Sequence, residues 1–178
     1  MGKIIFHGHS FLEVHTGKHI ILIDPFVSGN PKCDVKAGDL KCDYIILTHG
    51  HDDHVGDSVQ IAEKNDATII GMVEITDSVY EKVKAHGMNL GGGYNFDFGR
   101  VKLTLAHHSS SAPGGKYLGS PAGILLYVEG KCIYHAGDTA LFYDMKLIGE
   151  MNKIDIAFLP IGDNFTMGVD DAVKAVEF

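Results

Sequence analysis

The stretch "ILTHGHDDHVG", residues 46–56, decides how the chain is read. The apolar run Tyr44 to Leu47 delivers three histidines and two aspartates into the six positions 49 to 54. Imidazole suits zinc and its neighbours, and carboxylates suit harder or bridging positions, so a compact His/Asp mixture after a strand points to a divalent-metal site. The spacing predicts a turn that leaves His49, His51, Asp53 and His54 outside the core. On such a loop His49 and His51 can point one way while Asp53 and His54 turn toward a second position, so two ions fit better than one. A polar surface loop whose histidines share no target is the competing reading, and so many ligand-type residues in six positions weigh against it.

Three β-type runs precede this stretch: Lys3 to His7, Phe11 to His15 and His19 to Ile23, separated by the turn signals "GHS" and "TGK" of an antiparallel meander. Behind it the pattern predicts a helix over 57–65, a strand over 68–71 and a second helix over 76–86 with Thr76 as N-cap. β-type runs then resume at 94–98, 101–106, 123–128 and 131–135, followed by a helix over 141–151, a buried strand over 154–159 and a helix from Val169 to Phe178. Strands and then helices, twice over, describe an α/β chain of two similar halves, about 1–90 and 91–178, within one domain, with sheets stacked inside and helices outside.

Further ligand-type residues fall at strand ends. "LTLAHHSSS" (103–111) ends on His107 and His108, and "CIYHAGDTALF" (132–142) carries His135 and Asp138. Asp138 has two readings, a ligand or the N-cap of the helix that follows. The serines 109–111 lack the G-x-S-x-G elbow of a nucleophile and read as loop or substrate contacts. "APGGKYLGSP" (112–121) has the composition of a mobile flap, in which Lys116 is placed to pair with an anionic substrate group or simply to meet solvent. The triple glycine of "NLGGGYNF" (89–96) lacks the frame of a phosphate loop and reads as a turn.

The motifs "GHSFLEV", "IDPFVSGNP", "THGHDDHVGD", "AHHSS", "YHAGDTALF" and "LPIGDNFTMG", in this order, resemble the metallo-β-lactamase superfamily, whose H-x-H-x-D-H signature residues 49–54 match in full. Within it, the closer likeness is to metal-dependent hydrolases related to the ascorbate-6-phosphate lactonases. The resemblance implies a four-layer αββα sandwich with the site at one edge of the stacked sheets. It implies that His49, His51 and His108 hold one metal, that Asp53 and His54 belong to another, and that Asp138 bridges them. His108 is preferred over His107 because the family ligand directly precedes "SS", and strand alternation sends neighbours to opposite sides. Asp24, in "IDP", is expected to accept hydrogen bonds from the metal loop. His9, His135, Asp163 and Asn164 are placed near the pocket, each with a structural role as its alternative. Superfamily members continue beyond the position of Phe178 with a strand that carries a final histidine. The resemblance therefore implies a C-terminally truncated domain, lacking that strand and helix, whose second metal site is completed by a longer chain or a partner subunit, or binds weakly. His7, His15, His19 and His86 fall in strands or a helix with no motif around them.

Composition narrows the function. The 178 residues are 45% hydrophobic and 21% charged, ordinary for one globular unit with a real core. With 23 acidic against 15 basic residues the formal charge is -8, which disfavours nucleic acid and anionic membranes as partners. No apolar run approaches the length of a bilayer span, and the N-terminus is too polar for a signal peptide. Cys33, Cys42 and Cys132 form no C-x-x-C pair and read as unlinked thiols of a cytoplasmic protein. The expectation is a cytoplasmic hydrolase with two divalent ions, zinc or manganese, or one if the site is incomplete. A metal-bound hydroxide would attack an ester, lactone or phosphodiester of a small, anionic metabolite, with Asp53 orienting the water and moving its proton. Phosphodiester hydrolysis on nucleotides is the second enzymatic reading. A non-catalytic metal-binding module is the reading from another class, and a truncated sheet edge favours a homo-oligomer.

Overall fold

The computed structural model describes residues 2–79 and 81–178. The chain divides into two compact units, residues 1–89 with 110–119 and residues 90–109 with 120–178. The division follows the sheets, one in each unit, rather than a single point in the sequence.

The first unit carries a six-stranded sheet of β1 (Lys3–Phe6), β2 (Leu12–His15), β3 (Ile20–Ile23), β4 (Tyr44–Ile46), β5 (Thr68–Met72) and β6 (Lys84–Met88), in that spatial order. The first three strands are antiparallel, and β3 to β6 run parallel. Parallel pairing demands crossovers. These are the 24–43 loop with its single 3-10 turn (Ala37–Asp39), the helices α1 (Asp52–Val55) and α2 (Ser58–Asn65), and α3 (Val73–Val79). The central parallel strands read as continuous aliphatic runs because both faces are covered. Phe11, Leu12, Ile21, Leu22, Ile23, Ile45, Ile46, Leu47, Ile69 and Ile70 are fully buried there, with Ile61 of α2 and Ile75 of α3 packed into the same core.

The second unit carries β7 (Gly93–Phe96), β8 (Gly99–Leu105), β9 (Ala122–Val128) and β10 (Lys131–His135) as an antiparallel meander, then α4 (Asp144–Met151), β11 (Ile156–Phe158) parallel to β10, and α5 (Val169–Val176). Its core gathers Leu125, Cys132, Tyr134, Ala136, Phe142, Met145, Met167 and Ala172.

Two expectations need correction. The helix read over 76–86 lies at Val73–Val79, directly after β5; part of the expected span, Tyr80, is outside the described residues. Thr76 is interior and buried, its hydroxyl donating to the Val73 carbonyl at 3.0 Å rather than capping. Residues 84–88 form β6 instead, because β5 offers a full edge of amides and carbonyls that this segment satisfies over five paired positions. The strand read as buried over 154–159 shortens to β11, an edge strand with Ile156 42% exposed. The "APGGKYLGSP" segment closes on itself as a small hairpin of the first unit: Ser111 pairs with Tyr117, and Ala112 N–H donates to the Lys116 carbonyl at 2.9 Å.

Candidate metal centre

β3 and β4 are adjacent and parallel, so their C-terminal ends open on the same edge of the sheet, where open α/β sheets bind ligands. Asp24 follows β3 and the His/Asp stretch follows β4. A polar loop at such an edge would ordinarily be solvated, and the sequence pattern led to that expectation. The structure corrects it: His49, His54 and Asp24 are 0% exposed. The reason is a single-turn helix, α1, that rolls His54 back over the strand end, so that buried polar atoms pair with one another.

Asp24 organises this pairing. Its Oδ1 accepts the Thr48 N–H at 2.8 Å. Its Oδ2 accepts the Thr48 hydroxyl at 2.6 Å, the His54 Nδ1–H at 2.8 Å and the Ser10 hydroxyl at 3.2 Å. An ionised carboxylate only accepts, so the His54 proton sits on Nδ1 and the lone pair on Nε2, the tautomer found where a histidine binds metal through Nε2 against a carboxylate. His49 Nδ1 lies 3.0 Å from the Thr48 hydroxyl, and its Nε2 lies 2.9 Å from His51 Nδ1, so the two rings converge. From the same unit, the Ser110 hydroxyl accepts the Gly50 N–H at 3.0 Å and ties the loop to the 110–119 hairpin.

A further cluster sits beside these rings. Ligand atoms of His9, Asp53 and His54 all lie within 4.8 Å of one another. His9 Nε2 is 3.1 Å from Asp53 Oδ2. The hydrogen bond from His9, outweighing burial that pushes the other way, holds the Asp53 carboxyl well below the usual carboxylate range. Two imidazoles and a carboxylate form a borderline donor set, and the Asp24 contact already presents one imidazole in its ligating tautomer, so these residues fit a divalent ion.

In the second unit His108 and Asp138 approach to 3.7 Å. Their loops are stitched together: the His107 N–H donates to Thr139 Oγ1 at 2.9 Å and the Ala140 N–H to the His107 carbonyl at 3.1 Å. His107 itself stacks on Phe142, with ring centroids 4.7 Å apart and planes 13° apart. Asp138 caps no helix, since α4 begins only at Asp144. The buried His135 accepts the Gly137 N–H on Nδ1 at 3.1 Å, within its own turn. Asp163 and Asn164 are exposed in a turn closed between Asp163 and Met167, and Lys116 is exposed on the hairpin. Thr48 and Ser10 escaped sequence reading, because a lone hydroxyl in a loop carries no pattern until its acceptor or donor is known; Ser110, read as a loop or substrate contact, holds the Gly50 N–H.

Comparison with known proteins gives these side chains a context. The model of the beta-lactamase superfamily domain matches residues 19–177. A UPF0173 metal-dependent hydrolase of Bacillus cereus (strain ATCC 10987 / NRS 248) is 54% identical over 182 residues, covering 99% of this chain and 80% of the relative. One from Anoxybacillus flavithermus (strain DSM 21510 / WK1) is 55% identical over 181 residues with the same coverage. Among solved structures, the metallo hydrolase Igni18 from Ignicoccus hospitalis is 34% identical with a TM-score of 0.87, covering 97% of this chain and 76% of that one. Two sheets and few helices of this order are the metallo-β-lactamase fold. By sequence and by fold, over nearly its whole length, the chain belongs to the metallo-β-lactamase superfamily and is one of its metal-dependent hydrolases.

Proposed function

We propose that the protein hydrolyses an ester, lactone or phosphodiester bond of a small, anionic metabolite in a reducing compartment, the cytoplasm, using two divalent ions, zinc or manganese. In this reading His49, His51 and His108 would hold one ion, Asp53 and His54 would belong to the other, and Asp138 would serve both. The observation that carries it is the Asp24 carboxylate, which takes hydrogen bonds from Thr48 and His54 and presents the His54 Nε2 lone pair in a dry site. A buried carboxylate hydrogen-bonded to the far ring nitrogen of a histidine is the arrangement that orients an imidazole for a metal.

Divalent ions held by these residues would supply a water of near-neutral pKa and Lewis acidity toward the scissile group. The chain's residues do the rest. Asp53 would orient the attacking water, take its proton and return it to the leaving group. The hairpin lysine, Lys116, meets an anionic group on the substrate. The resemblance to ascorbate-6-phosphate lactonases puts a lactone or a phosphorylated small molecule first, and the charge of -8 argues against nucleic acid. Unpaired Cys33, Cys42 and Cys132 agree with a reducing compartment, and no helix among the described residues is long and apolar enough to cross a membrane.

The test is turnover of a generic lactone and a generic phosphodiester with added Mn²⁺ or Zn²⁺. Turnover that a chelator abolishes, that metal restores and that His51→Ala and Asp138→Ala both lose is the expected result. A folded protein that turns over neither substrate at any metal level sinks the proposal.

A further inference from the structure

We propose that His9 is itself a metal ligand and forms, with Asp53 and His54, a three-residue set for the second divalent ion. The inference rests on the metal reading above and assigns a ligand that lies outside the H-x-H-x-D-H signature.

Three independent features of the first unit point to it. The first is distance: the ligand atoms of His9, Asp53 and His54 fall within 4.8 Å of one another, although 44 residues of sequence separate His9 from Asp53. The second is the backbone. His9 has φ of 57°, a left-handed conformation uncommon for a residue with a side chain and over-represented at functional sites. The turn that carries it is well anchored. The His7 N–H donates to the Phe11 carbonyl at 3.0 Å, the Phe11 N–H to the Gly8 carbonyl at 3.1 Å, and the Asn30 side-chain amide to the same carbonyl at 3.4 Å. Gly8, at φ of 92°, lies so close to Lys32 that a Cβ would sit 2.7 Å from the Lys32 Cβ. The third is the ring, held edge-on between Phe26 at 5.6 Å and His54 at 5.1 Å with Nε2 turned on Asp53. A histidine that only filled surface space would need neither the strained backbone nor packing on two sides.

The competing role is that His9 merely positions the Asp53 carboxylate by hydrogen bonding. Two variants separate the roles. His9→Gln keeps an N–H within reach of Asp53 but is a poor ligand, and His9→Asn keeps a side chain that tolerates the left-handed backbone but withdraws from the cluster. Bound Mn²⁺ and Zn²⁺ per chain are measured by elemental analysis, affinities by competition with a chromophoric chelator, and the visible spectrum after Co²⁺ loading. Melting of the metal-free proteins controls for folding. Both variants are expected to melt like wild type, to hold one ion per chain fewer, to bind that ion at least ~10-fold more weakly, and to show an altered Co²⁺ band. Wild-type stoichiometry and affinity in His9→Gln would reduce His9 to a positioning residue and overturn the inference, as would weaker binding with an unchanged Co²⁺ spectrum. Wild-type protein that binds no ion at all, with His51→Ala equally silent, would instead overturn the metal reading and this inference with it.

Discussion

Replacing Asp24 by asparagine changes no shape and removes only the capacity to accept hydrogen bonds on both oxygens. The Thr48 N–H, fixed by the backbone at 2.8 Å from Oδ1, forces the amide oxygen of the variant onto that side. The new NH₂ group then faces Thr48 Oγ1, Ser10 Oγ and His54 Nδ1. The two hydroxyls can rotate and accept. The imidazole can accept only by giving up its Nδ1 proton, which moves to Nε2 and occupies the lone pair that a metal needs. Losing one hydrogen bond to a charged group costs about 1.5–3 kcal/mol of folding stability. Losing the carboxylate partner of a ligating histidine costs about 10–100-fold in metal affinity, which is about 1.4–2.7 kcal/mol. The assay is denaturant unfolding of the metal-free Asp24→Asn protein beside chelator competition for Zn²⁺. If the variant binds Zn²⁺ within about threefold of wild type, a difference below 1 kcal/mol, the tautomer argument is wrong.

Gly50→Ala would place a Cβ 2.5 Å from the Leu118 Cβ, between two backbone-bound atoms that cannot swing away, so stability should fall by about 1–3 kcal/mol and metal affinity with it; an unchanged melting temperature would show that the loop has room. His107→Phe should keep its stacking on Phe142 and its backbone bonds, and retain turnover, whereas His108→Phe should abolish it; equal losses would mean the two neighbours have been assigned the wrong way round. Burial pushes the Cys42 thiol up to about 12 from 9.0, so the neutral thiol is the folded form, its contribution is complete below pH 9 and is lost as the pH rises toward 12. Native protein should therefore expose only Cys33 to a thiol reagent at pH 8, and modification of Cys42 at a comparable rate would contradict its burial.

Much of the fold was legible because the physics was local. The central strands β4 and β5 are aliphatic runs too short for helices and bounded by polar turns, and the first three strands are separated by turn residues. β6 was not legible. Its sequence, Lys-Ala-His-Gly-Met, has little β propensity, and it pairs because β5 has an edge to satisfy and Gly87 lets α3 come close: a Cβ there would stand 2.9 Å from the Thr76 hydroxyl. β11 was read as buried from its aliphatic composition, yet composition says nothing about which strand ends at the edge of a sheet.

The site divides along the same line. His49, His51, Asp53 and His54 are legible because four donors share one turn, whereas Asp24 is legible only through the resemblance of "IDP" to the family, since nothing in the sequence shows that β3 lies parallel beside β4. What a one-dimensional pattern could not give is the burial of His49 and His54. The spacing places these residues in a turn outside the core, and only the pairing of Thr48, Asp24 and His54 explains how so many polar atoms can be taken out of water without a prohibitive desolvation cost. His9 is the extreme case. Its neighbours in sequence, Gly8 and Ser10, mark an ordinary tight turn, and the information that makes it more than that is a backbone angle and a contact 44 residues away. A turn can be read from its glycine, but the side chain that a turn aims is set by whichever loop the sheet brings beside it. In this chain the register of β2, β3 and β4 brings the Asp53 loop there.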